Sequence, residues 1–176
     1  MESKLTFYIT IILVSLLIIF FIFKSINNNK KVKTQYDERQ AAIRGEGFKY
    51  AFFTACISLA FFMVMDLSEI ALPMSTSLIY FTVIMVSGLV LSSYSLWKDA
   101  YFGTNNNVNR FIIALVIITV FNAFFSIIAI KEDLVMENGI LTDKFVNVEC
   151  TIILAAILIQ YAIKKALSGK EIGEDE

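Results

Sequence analysis

The sequence predicts an all-α integral membrane protein, a bundle of five transmembrane helices with the N-terminus outside and the C-terminus in the cytoplasm. Of the 176 residues, 57% are hydrophobic and 18% are charged, and a soluble domain of this size has too little polar surface to cover so much apolar area. The apolar residues form runs long enough to cross a bilayer. Lysine and arginine are concentrated in the loops that would share one side of that bilayer.

Each apolar run is close to the roughly 20 residues that a transmembrane helix needs. The five runs cover residues 5–23, 48–70, 77–97, 111–130 and 145–163. They should be helical because lipid offers the backbone no hydrogen-bond partners, and they lack the alternating pattern of a membrane barrel. No small-residue cleavage site follows the first run, so we expect it to persist as a helix rather than to be removed as a signal peptide.

The distribution of basic residues predicts the orientation of the chain, because lysine- and arginine-rich loops remain in the cytoplasm. With the N-terminus outside, twelve basic residues would be cytoplasmic and three would be external. The cytoplasmic set is Lys24, Lys30, Lys31, Lys33, Arg39, Arg44, Lys49, Lys98, Arg110, Lys164, Lys165 and Lys170, and the external set is Lys4, Lys131 and Lys144. We therefore expect a multi-pass protein of the cell membrane.

The largest predicted cytoplasmic segment, residues 24–47, contains a candidate for a short interfacial helix. Asp37 and Gln40 have a spacing related to the capping box, which would start this helix. Gly45 and Gly47 would end it and redirect the chain into the second span. The helix is either a simple connector or a docking surface for a cytoplasmic partner.

Two motifs on the predicted inner face carry a family resemblance. The first is Tyr36-Asp-Glu-Arg-Gln40, continued by Arg44-Gly-Glu-Gly-Phe-Lys-Tyr-Ala-Phe-Phe-Thr54, and the second is Lys98-Asp-Ala-Tyr-Phe-Gly103. In these residues the chain resembles a family of small multi-spanning membrane proteins of Gram-positive bacteria. The function of that family is unknown, so the resemblance implies a membrane protein but no reaction.

The two motifs should lie at similar depth, and we expect salt bridges between their loops to clamp the inner ends of spans two and three. Lys98 and Asp99 would face Asp37, Glu38, Arg39 and Arg44, and a charge reversal of Arg39 and Asp99 would test the pairing. The alternative is a set of independent surface charges, because an exposed ion pair is worth less than about 1 kcal/mol. The candidate partner-binding residues are Asp37, Glu38, Arg39, Gln40, Arg44, Lys98, Asp99 and Tyr101.

Within the predicted spans, Glu149 is the residue most costly to place in lipid, and an acid at such a position indicates function. Its counter-ion would be Lys131 or Lys144, or else Asp66 and Glu69 would join it around a captured cation. The alternative is that its carboxylate simply extends to the outer headgroups.

Other polar residues in the spans have two interpretations. Asn122 lies near the middle of span four, and Gly88 with Ser92 forms a pair of small residues in span three. Such residues usually serve helix packing, with amides bridging neighbouring helices, but they could also line a polar cavity. Together with Gln160 on the face of Glu149, the candidate intramembrane polar residues are Glu149, Asp66, Asn122 and Gln160.

The absence of histidine removes the commonest general base and metal ligand, and we predict neither a catalytic site nor a metal or cofactor. The two cysteines, Cys56 and Cys150, lie inside apolar runs and are expected to be small buried hydrophobes.

We expect a non-enzymatic accessory, sensory or immunity-type protein that contacts a partner at the cytoplasmic face. The alternatives are a small transporter or channel subunit and, last, an intramembrane enzyme using Asp66 and Glu149. Expected partners are the lipid bilayer and a second protein or a second copy of the chain, but no nucleic acid.

Overall fold

A computed structural model of the chain describes residues 34–171, with side chains through residue 168. The first predicted span, residues 5–23, lies outside the described residues. Within them, four helices are long and apolar enough to cross a membrane, judged by length and composition. The prediction of a mainly α-helical protein with apolar spans is thus confirmed for this region of the chain.

The described elements follow one another in an alternating up-and-down order. The helices are α1 (Glu38–Leu67), α2 (Thr76–Trp97), α3 (Val108–Lys131) and α4 (Val146–Glu171). Between α3 and α4 lie two short strands, β1 (Met136–Glu137) and β2 (Ile140–Leu141), and a 3-10 helix over Asp143–Phe145. The predicted spans 77–97, 111–130 and 145–163 fall within α2, α3 and the last helical segment.

Helix α1 corrects the prediction of a separate interfacial helix, because it runs for 30 residues without a break at Gly45 or Gly47. It begins where the capping box was expected. The backbone N–H of Gln40 donates to Asp37 Oδ1 at 2.6 Å, and the backbone N–H of Asp37 donates to Gln40 Oε1 at 3.4 Å. A glycine inside a helix costs only about 1 kcal/mol, which is too little to end a long helix that packs against a neighbour.

The four helices pack in the spatial order α1, α2, α4, α3. A small core of Leu115, Ile153 and Ile157 joins α3 to α4, with Met85 and Leu89 of α2 packed against it. Large apolar side chains elsewhere are exposed, and Ile57 of α1, for example, has 68% of its surface accessible. Such a surface is unfavourable in water and suits the interior of a bilayer.

The up-and-down order gives the described helices a separate cluster of loops at each end. We call the end with the start of α1, the last turns of α2 and α4 and the start of α3 the Asp99 end. The opposite end, which carries the α1–α2 loop, the hairpin and the 3-10 helix, is the Asp143 end. Side chains from different helices meet at both ends, as Lys164 with Asp99 and Ser75 with Asp143 illustrate.

Three helices end in the same way, with an acidic residue in the left-handed region. Glu69, Asp99 and Asp133 have φ angles of 56°, 59° and 57°. At the end of α2, Asp99 N–H donates to Leu96 O at 3.2 Å and Ala100 N–H donates to Ser95 O at 2.8 Å. This is the Schellman pattern, in which glycine usually occupies the left-handed position. Each turn redirects the chain sharply without a glycine.

A two-residue β-hairpin at the Asp143 end was not predicted from the sequence. Asn138 and Gly139 have φ angles of 50° and 80°, as a type I′ turn requires, and an Asn-Gly pair is its strongest sequence signal. The hairpin also joins the neighbouring loop, because Leu141 N–H donates to Pro73 O and Ser75 N–H donates to Leu141 O, both at 2.8 Å. The loops before α2 and before α4 are therefore linked through their backbones.

Candidate functional site

The two sequence motifs meet at the Asp99 end in a cluster that we call the motif junction. It consists of Arg39, Gln40 and Arg44 of α1, Lys164 of α4, and the chain from residue 96 to residue 102 at the end of α2. Its centre is the C-terminus of α2. The last carbonyl groups of a helix have no partners within that helix and need donors from elsewhere.

Gln40 makes the most central contacts of the motif junction and is buried, with 8% of its surface accessible. Its side-chain Nε2 donates to Asp99 O at 2.9 Å and to Phe102 O at 3.2 Å. Its Oε1 simultaneously accepts from the backbone N–H of Asp37 in the capping box. One amide therefore starts α1 and fixes the turn that follows α2.

Three cations complete the motif junction by donating to carbonyl oxygens at the end of α2. Arg39 Nη1 lies 3.3 Å from Lys98 O, and Arg44 Nη1 lies 3.4 Å from Ala100 O. Lys164 Nζ donates to Leu96 O at 2.6 Å. Positive groups are favourable at this end of a helix because its dipole is negative there, so these contacts hold α1 and α4 against the same turn.

The expected salt bridges between the two motif loops, including Arg39 with Asp99, do not form among the described residues. Asp99 Oδ1 pairs instead with Lys164 Nζ at 2.5 Å, and this is the one ion pair among residues 34–168. The left-handed turn places Asp99 beside α4, whose position next to α2 follows from helix order and could not be inferred from loop charges. The clamp between the two motifs nevertheless exists, because Arg39 binds a backbone carbonyl rather than a carboxylate.

An aromatic group surrounds the turn of the motif junction. The ring of Phe102 lies edge-on to Tyr101, Phe111 and Tyr161, with centroid distances of 5.0, 5.5 and 5.9 Å. Burial raises the pKa of Tyr101 above its usual value. A cavity of about 350 Å³ beside this group is lined in places by Tyr101, Phe102, Tyr161 and Lys164.

Six of the eight predicted partner-binding residues divide into two sets, while Asp37 caps α1 and Tyr101 belongs to the aromatic group. Arg39, Gln40 and Arg44 use their side chains inside the motif junction. Glu38 and Lys98 are exposed beside it, and the Asp99 side chain is 70% accessible although it pairs with Lys164. The exposed residues are the ones that remain available for a contact outside the chain.

The close approach of α1 and α2 occurs at Gly47 of α1. A Cβ atom built on Gly47 would lie 3.0 Å from Leu91 Cδ1, 3.3 Å from Tyr94 Cδ1 and 3.4 Å from Ser95 Oγ. At Gly88 no neighbouring side chain or other helix among the described residues lies within 4 Å of such a Cβ. Gly47 is therefore the residue that lets the two helices touch.

Glu149 of α4 packs against α2 and is buried, with 8% of its surface accessible. Its Oε2 is 3.1 Å from Thr82 Oγ1, and its Oε1 has no hydrogen-bond partner among the described residues. The expected counter-ions Lys131 and Lys144 form no ion pair with it, since the ion pair of residues 34–168 is at the other end. Asp66 is exposed and lines a separate cavity of about 630 Å³.

The remaining polar residues of the spans do not join Glu149. Asn122 Nδ2 donates to Ile118 O of its own helix at 2.9 Å, so it does not bridge helices as expected. Gln160 Oε1 accepts from Trp97 Nε1 at 3.2 Å near the Asp99 end, far along α4 from Glu149. The four predicted intramembrane residues are therefore not brought together.

The cysteines are free, and Cys56 corrects the expectation of burial because it is exposed on α1. Among the described residues there is no group of three or more His, Cys, Asp or Glu side chains that could hold a metal ion. Among the described helices, α2 is the main neighbour of α1, and Cys56 does not lie in that contact.

No protein-family model matches this chain, and comparisons with the curated proteins and with the solved structures return no match. The resemblance to a membrane-protein family of Gram-positive bacteria stays a prediction. The function must therefore be argued from the motif junction and from Glu149.

Proposed function

We propose that the protein is a non-enzymatic, five-span protein of the cell membrane that acts through a protein partner at its cytoplasmic face, as an accessory, sensory or immunity-type component. In this proposal the Asp99 end is cytoplasmic, with the N-terminus outside and the C-terminus inside. The observation that carries the proposal is the motif junction. It presents charged side chains on a fixed backbone.

The charges of the described residues support this orientation. The Asp99 end holds Arg39, Arg44, Lys49, Lys98, Arg110, Lys164 and Lys165, whereas the Asp143 end holds Lys131 and Lys144. Seven basic residues against two is the asymmetry that the positive-inside rule associates with the cytoplasm.

The rigidity of the motif junction supports a role in binding. Glu38 and Lys98 belong to segments joined by the contacts of Arg39 with Lys98 O and of Gln40 with Asp99 O. A surface whose backbone is already fixed loses less conformational entropy when a partner binds. A partner that binds Glu38, Lys98 and the exposed Asp99 carboxylate would then contact two acidic groups and one basic group whose backbone positions are already fixed.

A site-specific crosslinking experiment tests the proposal. A photoreactive amino acid at position 38 or 98 should yield one common crosslinked protein in intact cells, and the same probe at the exposed Glu137 should not. The charge reversals Glu38→Lys and Lys98→Glu should each lower the crosslinking yield several-fold, because each reverses a charge that the partner contacts. Neither side chain supports the motif junction, so the fold should be unaffected. Equal yields at positions 98 and 137 would contradict the proposal.

A small transporter or channel subunit is the second candidate, and the buried Glu149 favours it. An acid in a span without a counter-ion is a typical feature of proton or ion pathways. Purified protein in vesicles should then carry protons or monovalent cations, and Glu149→Gln should abolish the flux. Asp66→Asn is the matched control, since that carboxylate is exposed. Flux that is unchanged in Glu149→Gln would remove this candidate.

A further inference from the structure

The contact between Glu149 and Thr82 contains too few hydrogens if the acid is ionised. Thr82 Oγ1 lies 2.9 Å from Leu78 O, one turn earlier in α2, and 3.1 Å from Glu149 Oε2. A threonine hydroxyl has a single hydrogen but can also accept. Leu78 O and an ionised carboxylate can both only accept, so the single hydroxyl hydrogen of Thr82 cannot serve both contacts. A protonated Glu149 supplies the second hydrogen, and both contacts can then be hydrogen bonds.

The surroundings of Glu149 supply no charge that would stabilise a carboxylate. The titratable and charged groups on the neighbouring elements are Tyr80 and Tyr94 of α2, Arg110 and Lys131 of α3, Asp143 and Lys144 of the 3-10 helix, and Cys150 beside it on α4. The cations among them, Arg110, Lys131 and Lys144, form no ion pair with Glu149, because the ion pair within residues 34–168 is Lys164–Asp99. Its Oε1 is buried without a described partner.

The position of Glu149 in the first turn of α4 favours ionisation, because the dipole is positive there, and a hydrogen bond from Thr82 would favour it too. Among the hydrogen bonds of the described residues, however, neither carboxyl oxygen accepts from a backbone N–H. A dipole without such a bond does not offset the burial of an unpaired charge. A neutral carboxyl group, by contrast, leaves only an unbonded carbonyl oxygen.

We propose that Glu149 is a proton-binding site. Its carboxyl group holds a proton at neutral pH and donates it to Thr82 Oγ1, which joins α4 to α2 inside the apolar span. Loss of that proton would remove the donor and leave a buried negative charge against the Thr82 hydroxyl. The inference is independent of the proposed partner contact, since Glu149 is near the Asp143 end and the motif junction is at the other.

Labelling with a hydrophobic carbodiimide tests the site, because this reagent adds a protonated carboxyl group across its C=N bond. In the detergent-solubilised full chain, mass spectrometry should find the adduct on Glu149 at neutral pH, and the yield should fall as the pH is raised. Asp66→Asn should leave this adduct unchanged, whereas Glu149→Gln should abolish it. An adduct that forms on Glu149 only in acid would overturn the proposal.

Infrared spectroscopy provides a second readout that does not depend on reagent access. The difference between wild type and Glu149→Gln should contain the carbonyl band of a protonated carboxyl group at neutral pH. Glutamine can donate to Thr82 through its amide, so this variant should fold with unchanged thermal stability. Thr82→Val should shift the band to higher frequency by removing the hydrogen bond, and Thr82→Ser should restore it. A carboxylate band in place of the protonated one would overturn the proposal.

Discussion

At the scale of single residues, Gln40 couples local and tertiary structure most directly. The same amide closes the capping box with Asp37 and donates to Asp99 O and Phe102 O. The capping role was predictable from the Asp37–Gln40 spacing. The tertiary role was not, because nothing in that spacing reveals that the end of α2 lies beside it.

Replacing Gln40 by alanine should lower the free energy of unfolding by about 1–3 kcal/mol. The variant removes the side chain that accepts from Asp37 N–H in the capping box and takes the Gln40 donor away from Asp99 O and Phe102 O. Thermal unfolding in detergent micelles measures the effect. Lys98→Ala is the control, since that side chain is exposed and surface changes usually stay within about 0.5 kcal/mol. Equal shifts in the two variants would mean that Gln40 does not hold the motif junction.

At the scale of elements, α1 shows that residue type alone does not predict what a glycine does in a helix. Gly45 and Gly47 have the same helix propensity, and both suggested a helix end. The structure assigns them different surroundings, because a Cβ atom added to Gly45 would have no neighbour within 4 Å, whereas one added to Gly47 would touch Leu91 and Tyr94. Glycine in this helix therefore serves packing at one position and has no contact at the other.

These two glycines form a matched pair for measurement. Gly45→Ala should raise the free energy of unfolding by up to about 1 kcal/mol, because alanine is the better helix former and meets no neighbour. Gly47→Ala should be less stable than Gly45→Ala by roughly 1–3 kcal/mol, since its methyl group overpacks the contact with α2. Chemical or thermal unfolding of the two variants in the same detergent gives the comparison. A Gly47→Ala variant as stable as Gly45→Ala would place the helix contact elsewhere.

At the scale of the whole molecule, the distribution of basic residues between the two ends is the feature on which the proposed orientation rests. The Asp99 end is basic, and side chains of α1 and α4 join it by hydrogen bonds to carbonyl oxygens at the end of α2. The Asp143 end is joined differently, through the hairpin and through Ser75 and Ser77, whose hydroxyls donate to Asp143 Oδ1 at 2.5 and 2.7 Å. Both ends thus tie neighbouring helices together, but only one carries the positive excess among the described residues.

Cysteine accessibility measures which end faces the cytoplasm. In a chain with Cys56 and Cys150 replaced by serine, Glu137→Cys should react with an impermeant maleimide in intact cells. Lys98→Cys should react only after permeabilisation, because the basic end is proposed to be internal. The cysteine-free chain gives the background. Labelling of position 98 in intact cells, with position 137 protected, would reverse the orientation.

The sequence by itself determined the apolar helices of the described region and the start of α1, because hydrophobic length and the Asp37–Gln40 capping box are local properties. The Asn138-Gly139 turn is an equally local property, and the Asn-Gly pair in the sequence was sufficient to predict it. Only the tertiary structure decided that Asp99 pairs with Lys164, that Gly47 makes the close contact and that Glu149 faces Thr82. The physical reason is that helices apolar on all sides carry no stripe to mark which neighbour they meet.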